Sequence, residues 1–325
     1  MEKEMELELA YLNQEMKKVN QEIKSLLVSD NLLMQQVISW ILKGKGKQLR
    51  PKFTLVSARY GTDCQHAVKL AALIEIIHMA SLVHDDIMDN AETRRGSLSV
   101  QKKFGKSMAV YAGDYMIFQA LGVQDDGFLD QLFPHVYQAL RKLINGELSQ
   151  NANLYNVKIT PEQYLENISG KTASLFSLAC EVGARSSEAP KEQLEAVSQF
   201  GLCFGMLFQI KDDLLDYTAD DRLIGKPVLQ DFENGVFTLP IIYCLQNSEL
   251  SPKILKLSKT ARKRGLKPQE KSELLEYIHA ENALENCRKE AETHYQSALT
   301  SLNSLPDIPE TTFFRQILEE LYVSI

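Results

Sequence analysis

His84-Asp85-Asp86-Ile87-Met88-Asp89 and Lys211-Asp212-Asp213-Leu214-Leu215-Asp216 carry two aspartate clusters of identical spacing. Each stretch predicts a helix, so the first and last Asp of each cluster, one turn apart, share a face. Like charges in that relation cost a helix about 0.2–0.5 kcal/mol per pair, and the apolar flanks add a desolvation cost. A chain that repeats so unfavourable a pattern is expected to hold divalent cations between its two clusters. Carboxylate oxygens combined with phosphate oxygens suit a hard cation, above all Mg2+. This points to phosphate or diphosphate chemistry.

Outward from the clusters the periodicity is helical. Gly and Pro number 16 and 10 in 325 residues, below the roughly 12% of average usage. Apolar spacing predicts helices over residues 2–27, 31–42, about 47–58, 64–89, 132–154, 161–184, 191–217 and 271–302. Thr160-Pro161 and Ala189-Pro190 act as start signals. Arg94-Arg95-Gly96 reads as a loop. Strand alternation and hairpin dipeptides are nearly absent, and no low-complexity linker divides the chain. The expected fold is all-α: one large helical bundle around a central cavity, with residues 1–325 as a single domain.

The formal net charge of −7 argues against a generic nucleic-acid binder, whose footprint is usually basic. Five dispersed cysteines without CxxC spacing suit reduced thiols and a cytoplasmic setting. The first residues lack the basic and apolar regions of a signal peptide, and the apolar run 70–83 is too short to span a bilayer. The basic run from Lys253 to Lys267 reads as a solvated face, with transient contact to an anionic membrane surface as the other reading.

Cationic residues cluster near the acidic ones. Lys47 and Arg50 sit three apart at a loop-to-helix junction, Arg94 and Arg95 follow the first Asp cluster, and Gly225-Lys226-Pro227 follows the second. Any one of these is as readily a salt bridge. Together they suggest two diphosphate sites, one metal-bridged and lined by Asp, the other metal-free and lined by Lys and Arg.

The run Glu75-Ile76-Ile77-His78-Met79-Ala80-Ser81-Leu82-Val83-His84-Asp85-Asp86-Ile87-Met88-Asp89, with Arg94-Arg95-Gly96, resembles the first aspartate-rich region of the trans-isoprenyl diphosphate synthases. Phe208-Gln209-Ile210-Lys211-Asp212-Asp213-Leu214-Leu215-Asp216-Tyr217 resembles the second. Gly46-Lys47-Gln48-Leu49-Arg50-Pro51, Lys171-Thr172-Ala173 and Gly225-Lys226-Pro227 match further motifs, so the resemblance covers about residues 40–245. It is strongest to the medium- and long-chain bacterial members, particularly the catalytic large component of heptaprenyl diphosphate synthase.

The resemblance implies the isoprenoid synthase type of bundle and a prenyltransferase that condenses isopentenyl diphosphate head to tail onto an allylic diphosphate, farnesyl diphosphate being the expected primer. It implies Mg2+, three ions per active site, held by Asp85, Asp89 and Asp212, with Asp86, Asp213 and Asp216 in direct or outer contact. Arg94, Lys171 and Lys226 match contacts to the allylic diphosphate. Lys47, Arg50, His78 and Arg95 match the site for isopentenyl diphosphate. Thr172 and Gln209 match polar positions facing the reacting carbons. Two departures stand out: Gln48 replaces the family's usual Arg, and Val236 replaces the Lys that short-chain members carry in Gly235-Val236-Phe237-Thr238-Leu239-Pro240.

Product length in this family is limited by bulky residues on the helix before the first Asp cluster. Ala80 and Ser81 are small at the two deciding positions, and Ile77 lies deeper. One helical turn rises about 5.4 Å, close to one isoprene unit, so the expected product has six to eight units, seven preferred, typical of a menaquinone side chain. Geranylgeranyl or farnesyl diphosphate synthesis is the enzymatic alternative; a non-catalytic subunit of a heteromeric synthase is the other, against which both intact Asp clusters count. A homodimer, or a heterodimer with a small non-catalytic subunit, is the expected assembly.

Overall fold

The structure is a computed structural model and describes residues 2–44, 46–123, 127–218 and 229–325. Lys226 and its two motif neighbours lie outside the described residues. The helices are α1 (Glu2–Leu26), α2 (Leu32–Ile41), α3 (Leu49–Ser57), α4 (Ala67–Met88), α5 (Val100–Phe104), α6 (Lys106–Leu121), α7 (Phe128–Ala152), α8 (Pro161–Ile168) and α9 (Ser174–Ser186). They continue with α10 (Lys191–Thr218), α11 (Gln230–Asn234), α12 (Leu239–Gln246), α13 (Ser251–Arg264), α14 (Pro268–Ala280), α15 (Ala283–Asn303) and α16 (Pro309–Val323). The strands described are β1 (Thr93–Arg94) and β2 (Ser97–Leu98), an antiparallel pair.

Local chemistry explains several boundaries. Asn31 caps α2 by accepting from the N–H groups of Leu33 and Met34. Thr160 and Gln163 form a reciprocal capping box, with Pro161 supplying the first-turn φ of α8.

Three expectations are corrected. The loop at 94–96 is the tip of a tight hairpin, because Arg95 (φ 50°) and Gly96 (φ 75°) both take the left-handed conformation that matches the twist of paired strands. The helix expected over 161–184 widens into a π turn at Ser169–Ala173. The helix expected over 271–302 is two helices, parted at Asn282, which adopts φ 50°; asparagine tolerates that region better than most residues.

By contacts the chain forms two compact units, 1–137 with 178–198 and 307–310, and 138–177 with 199–306 and 311–325. Helices α7, α9, α10 and α16 contribute residues to both. In the first unit α4 packs against α1, α3 and α6. It is buried almost all round, from Ala67 and Leu70 through Val83 and Asp86, with Phe53, Leu55 and Met116 among its fully enclosed companions. By length and composition α4 could cross a bilayer, but 67% of its apolar window is buried inside the protein, as in a core helix. Gly113 lets α6 close on α4, since a Cβ there would meet the His84 ring at 2.3 Å.

The core of the second unit is aromatic. Phe176, Phe200, Phe204 and Phe314 are all fully buried, with Phe200 and Phe314 centroids 4.6 Å apart and Phe176 and Phe204 5.3 Å apart. Phe200 and Phe204, at helical spacing, are therefore core.

Candidate active site

The first Asp cluster occupies the C-terminal turns of α4, and no basic residue stands in the last turn. Carboxylates at the negative pole of a helix are unfavourable unless a cation compensates them. Asp85 is half-buried and Asp89 exposed, whereas Asp86 is 3% exposed. Asp86 receives Arg94, whose Nη2 and Nε donate to Oδ1 at 2.5 and 2.8 Å. Burial still pushes the Asp86 carboxyl above its usual range.

The β1–β2 hairpin is tied down on both sides. Gln101 donates to the Asp86 carbonyl at 2.5 Å and to the Ala91 carbonyl at 2.8 Å. The Trp40 indole donates to the Leu98 carbonyl at 3.0 Å. At the tip, Arg95 reaches back to the Gly44 carbonyl at 2.7 Å. A shallow open cleft of about 60 Å3 lies beside the hairpin, where Met79, Leu82 and Val83 of α4 meet Asp86, Arg94 and Arg95.

Around Arg50 the structure assembles a polar group that includes two residues the sequence reading did not select. Arg50 Nη1 and His78 Nε2 are 3.2 Å apart. Burial, with Arg50 and Arg95 nearby, pulls the His78 pKa well down, so His78 is the neutral acceptor. Burial lowers Arg50 itself to about 10. Behind them lies Glu75, 2% exposed, its carboxyl raised by burial and held back by Arg50, Arg95 and a Gln48 hydrogen bond. Gln48 and Asn20 exchange amide hydrogen bonds of 3.1 and 3.3 Å. The residue that departs from the family pattern thus ties α1 to this loop. Lys47 is exposed.

In the second unit the π turn brings Lys171 and Thr172 onto one site. Its close approach to α7 depends on two glycines: a Cβ on Gly146 would meet the Lys171 nitrogen at 2.6 Å, and one on Gly170 the Lys142 carbonyl at 2.5 Å. Lys171 Nζ pairs with Glu147 at 3.1 Å. Thr172 Oγ1 donates to Gln209 Oε1 at 2.6 Å, and Gln209 Nε2 donates to Asp213 Oδ1 at 2.7 Å. The Tyr164 hydroxyl donates to Asp213 Oδ2 at 2.6 Å.

Asp212 is exposed, while Asp213 is buried and pushed up to about 7 by desolvation. Asp216 accepts the N–H groups of Gln230 and Asp231 at 3.1 and 3.2 Å. Asp231 is a further acid at this cluster: burial and then Asp213, Asp216 and Asp212 raise it well above its usual range, and Lys171 opposes them. Glu75, Glu147, Tyr164 and Asp231 carried no sequence signal of their own.

Among the described residues no three His, Cys, Asp or Glu side chains converge enough to enclose an ion by themselves. An all-oxygen set of exposed and half-buried carboxylates fits Mg2+, which takes one or two carboxylates and completes its shell with water and substrate phosphates.

Of the residues named for product length, Ala80 is fully enclosed (0% exposed) and Ile77 nearly so (3%). Ser81 keeps accessible surface, its hydroxyl donating to the His78 carbonyl at 2.9 Å.

Comparison with known proteins places the chain in a family. The polyprenyl synthetase family matches residues 31–278. Component 2 of heptaprenyl diphosphate synthase from Bacillus subtilis (strain 168) is 33% identical over 306 residues, 93% of this chain and 86% of that one. Octaprenyl diphosphate synthase from Escherichia coli (strain K12) is 33% identical over 297 residues, 91% of each chain. Among solved structures, a decaprenyl diphosphate synthase from Rhodobacter capsulatus superposes with a TM-score of 0.91 at 28% identity, covering 98% of both chains. The polyprenyl synthase of Caulobacter crescentus CB15, complexed with calcium and isoprenyl diphosphate, gives 0.86 at 30% identity, covering 97% of this chain and 94% of that one. The all-α fold is that of these synthases, and the chain belongs to the polyprenyl synthetase family of trans-prenyl diphosphate synthases: it is a prenyltransferase.

Proposed function

We propose that the chain extends an allylic diphosphate, with farnesyl diphosphate as primer, by isopentenyl diphosphate units to an all-trans product of six to eight units, seven preferred. The observation that carries this reading is the pair of Asp clusters, each set beside its own cationic and polar groups. Asp85, Asp89 and Asp212 would hold Mg2+, three ions per active site, with Asp86, Asp213 and Asp216 supporting them. Mg2+ held there would supply charge neutralisation to the departing diphosphate. Arg94 and Lys171 bind the same diphosphate, and Lys226, outside the described residues, joins them by its motif. Their present partners, Asp86 and Glu147, keep these cations oriented until phosphate oxygens replace them. Thr172 and Gln209 direct oxygen dipoles at the allylic cation, and the departed diphosphate takes the proton.

Lys47, Arg50, His78 and Arg95 bind isopentenyl diphosphate, which is not allylic and needs no activation. Lys47→Ala is expected to raise KM for isopentenyl diphosphate at least tenfold, with kcat and Tm little changed. Arg50→Ala should raise the same KM and also lower Tm, because it strips the buried Glu75 of its strongest compensating charge. Steady-state kinetics with each substrate varied in turn, beside a melting curve, checks both. A KM effect confined to the allylic substrate would reverse the two sites.

The apolar surface of α6 supports a partner subunit. Val110, Tyr111 and Phe118 are 41, 64 and 73% exposed along this one helix; apolar exposure concentrated on one element marks interaction sites. The partner is a second copy or a small non-catalytic subunit, as the words "component 2" suggest for the Bacillus relative. Phe118→Glu should shift the chain to the monomer in sedimentation; an unchanged mass would move the interface elsewhere. The setting is cytoplasmic, with the product feeding a quinone such as menaquinone. The basic outer face of α13, including Lys256, Lys259 and Lys263, is suited to brief contact with an anionic membrane at product release.

The deciding assay supplies radiolabelled isopentenyl diphosphate and farnesyl diphosphate, and reads product length after dephosphorylation. Seven units are expected. A product of four or fewer units would replace this reading with the short-chain one.

A further inference from the structure

Tyr164 lies outside every motif that marks this chain, yet its hydroxyl is buried against the second Asp cluster. It ends a chain of hydrogen bonds running from Tyr164 Oη to Asp213 Oδ2, from Gln209 Nε2 to Asp213 Oδ1, and from Thr172 Oγ1 to Gln209 Oε1, at 2.6, 2.7 and 2.6 Å. All four side chains belong to one compact unit.

The polarity of this chain follows from its donors and acceptors. With both Asp213 oxygens accepting, Gln209 must turn its NH2 toward the carboxylate and its carbonyl oxygen toward Thr172. The only hydrogen on the Thr172 hydroxyl is then committed to that oxygen, leaving its lone pairs to face the remaining space beside it. A cation there meets an oxygen dipole rather than a hydroxyl hydrogen. Tyr164 secures the arrangement by occupying Oδ2, so that Oδ1 stays with Gln209. The backbone contributes as well, since the π turn Ser169–Ala173 sets Thr172 toward Gln209. Such turns recur at functional sites.

We infer that Tyr164 is a positioning residue for prenyl transfer: through Asp213 and Gln209 it fixes the orientation of the Thr172 hydroxyl. This rests on the proposed role of Thr172 and Gln209 at the reacting carbons. It also makes Asp213 the hub of the hydrogen-bond chain, distinct from its exposed neighbour Asp212.

A double-mutant cycle tests it on the full-length protein. Tyr164→Phe should lower kcat about tenfold, a difference of ~1.4 kcal/mol, with both KM values within about twofold. In the Thr172→Val background the same change should have no further effect on kcat, because the group it orients has gone. Multiplying losses, or a loss in KM alone, would overturn the inference, since a packing role predicts independent effects. Equilibrium unfolding reads the same chain without any turnover. Hydrogen bonds link the Tyr164 and Thr172 side chains through Asp213 and Gln209, so their stability changes should be non-additive; additive changes would overturn the inference whatever the assay gives. If Tyr164→Phe does not fold, Tyr164→Leu, which also lacks the hydroxyl, takes its place in the kinetic cycle with the same expected coupling to Thr172→Val.

Discussion

Asp85→Ala and Asp212→Ala should each lower kcat roughly a thousandfold or more, the scale of losing a principal electrostatic contact to a developing anion. Asp86 is taken up by Arg94, Asp213 by Tyr164 and Gln209, and Asp216 by backbone N–H groups of α11. Asp85 is half-buried and Asp212 exposed, which suits groups that meet cations and water. Removing either also relieves like-charge repulsion, so Tm in the absence of substrate should hold or rise slightly. Single-turnover kinetics at saturating Mg2+ is the measurement. If excess Mg2+ restored kcat fully, the carboxylates would be recruiting the ion without serving the reaction, and the assignment would fail.

Ser81→Phe is expected to convert the product to four units or fewer. Sequence position alone made Ala80 and Ser81 equivalent, but the structure does not. Ala80 is enclosed on all sides, so a phenyl ring there overpacks the core at a cost of about 1–3 kcal/mol. Ser81 keeps surface on which a ring can stand, at the loss of one hydroxyl bond to His78. The variant should keep its rate of isopentenyl incorporation in the first step, since no diphosphate contact is touched. Chromatography of dephosphorylated products decides the matter. Chains of six to eight units from Ser81→Phe would place the limiting wall on another helix.

The Asp clusters, the start of α8 at Thr160-Pro161 and the all-α architecture were legible in the sequence because each depends on residues close together in the chain. What escaped was set by distant contacts. Arg95-Gly96 is not one of the strong hairpin dipeptides, and the hairpin depends on distant partners: Trp40 holding Leu98 and Asp86 holding Arg94. The π turn depends on how closely Gly146 and Gly170 let α7 approach, and no local pattern encodes that distance. Glu75 and Tyr164 look like ordinary helix residues until the fold sets them against Arg50 and Asp213. The enclosure of Ala80 could not be read from its size, because a small residue fits a packed core as well as a tunnel wall.

Trp40 is the chain's one tryptophan. Its indole N–H is bound to the hairpin that carries both arginines, and the Lys103 ammonium sits 3.0 Å from its ring centroid. Emission from an indole depends on its hydrogen bond and on charge over its face. The protein therefore contains its own optical gauge of the Arg94–Arg95 hairpin, free of interfering tryptophan signal and readable in solution without a label.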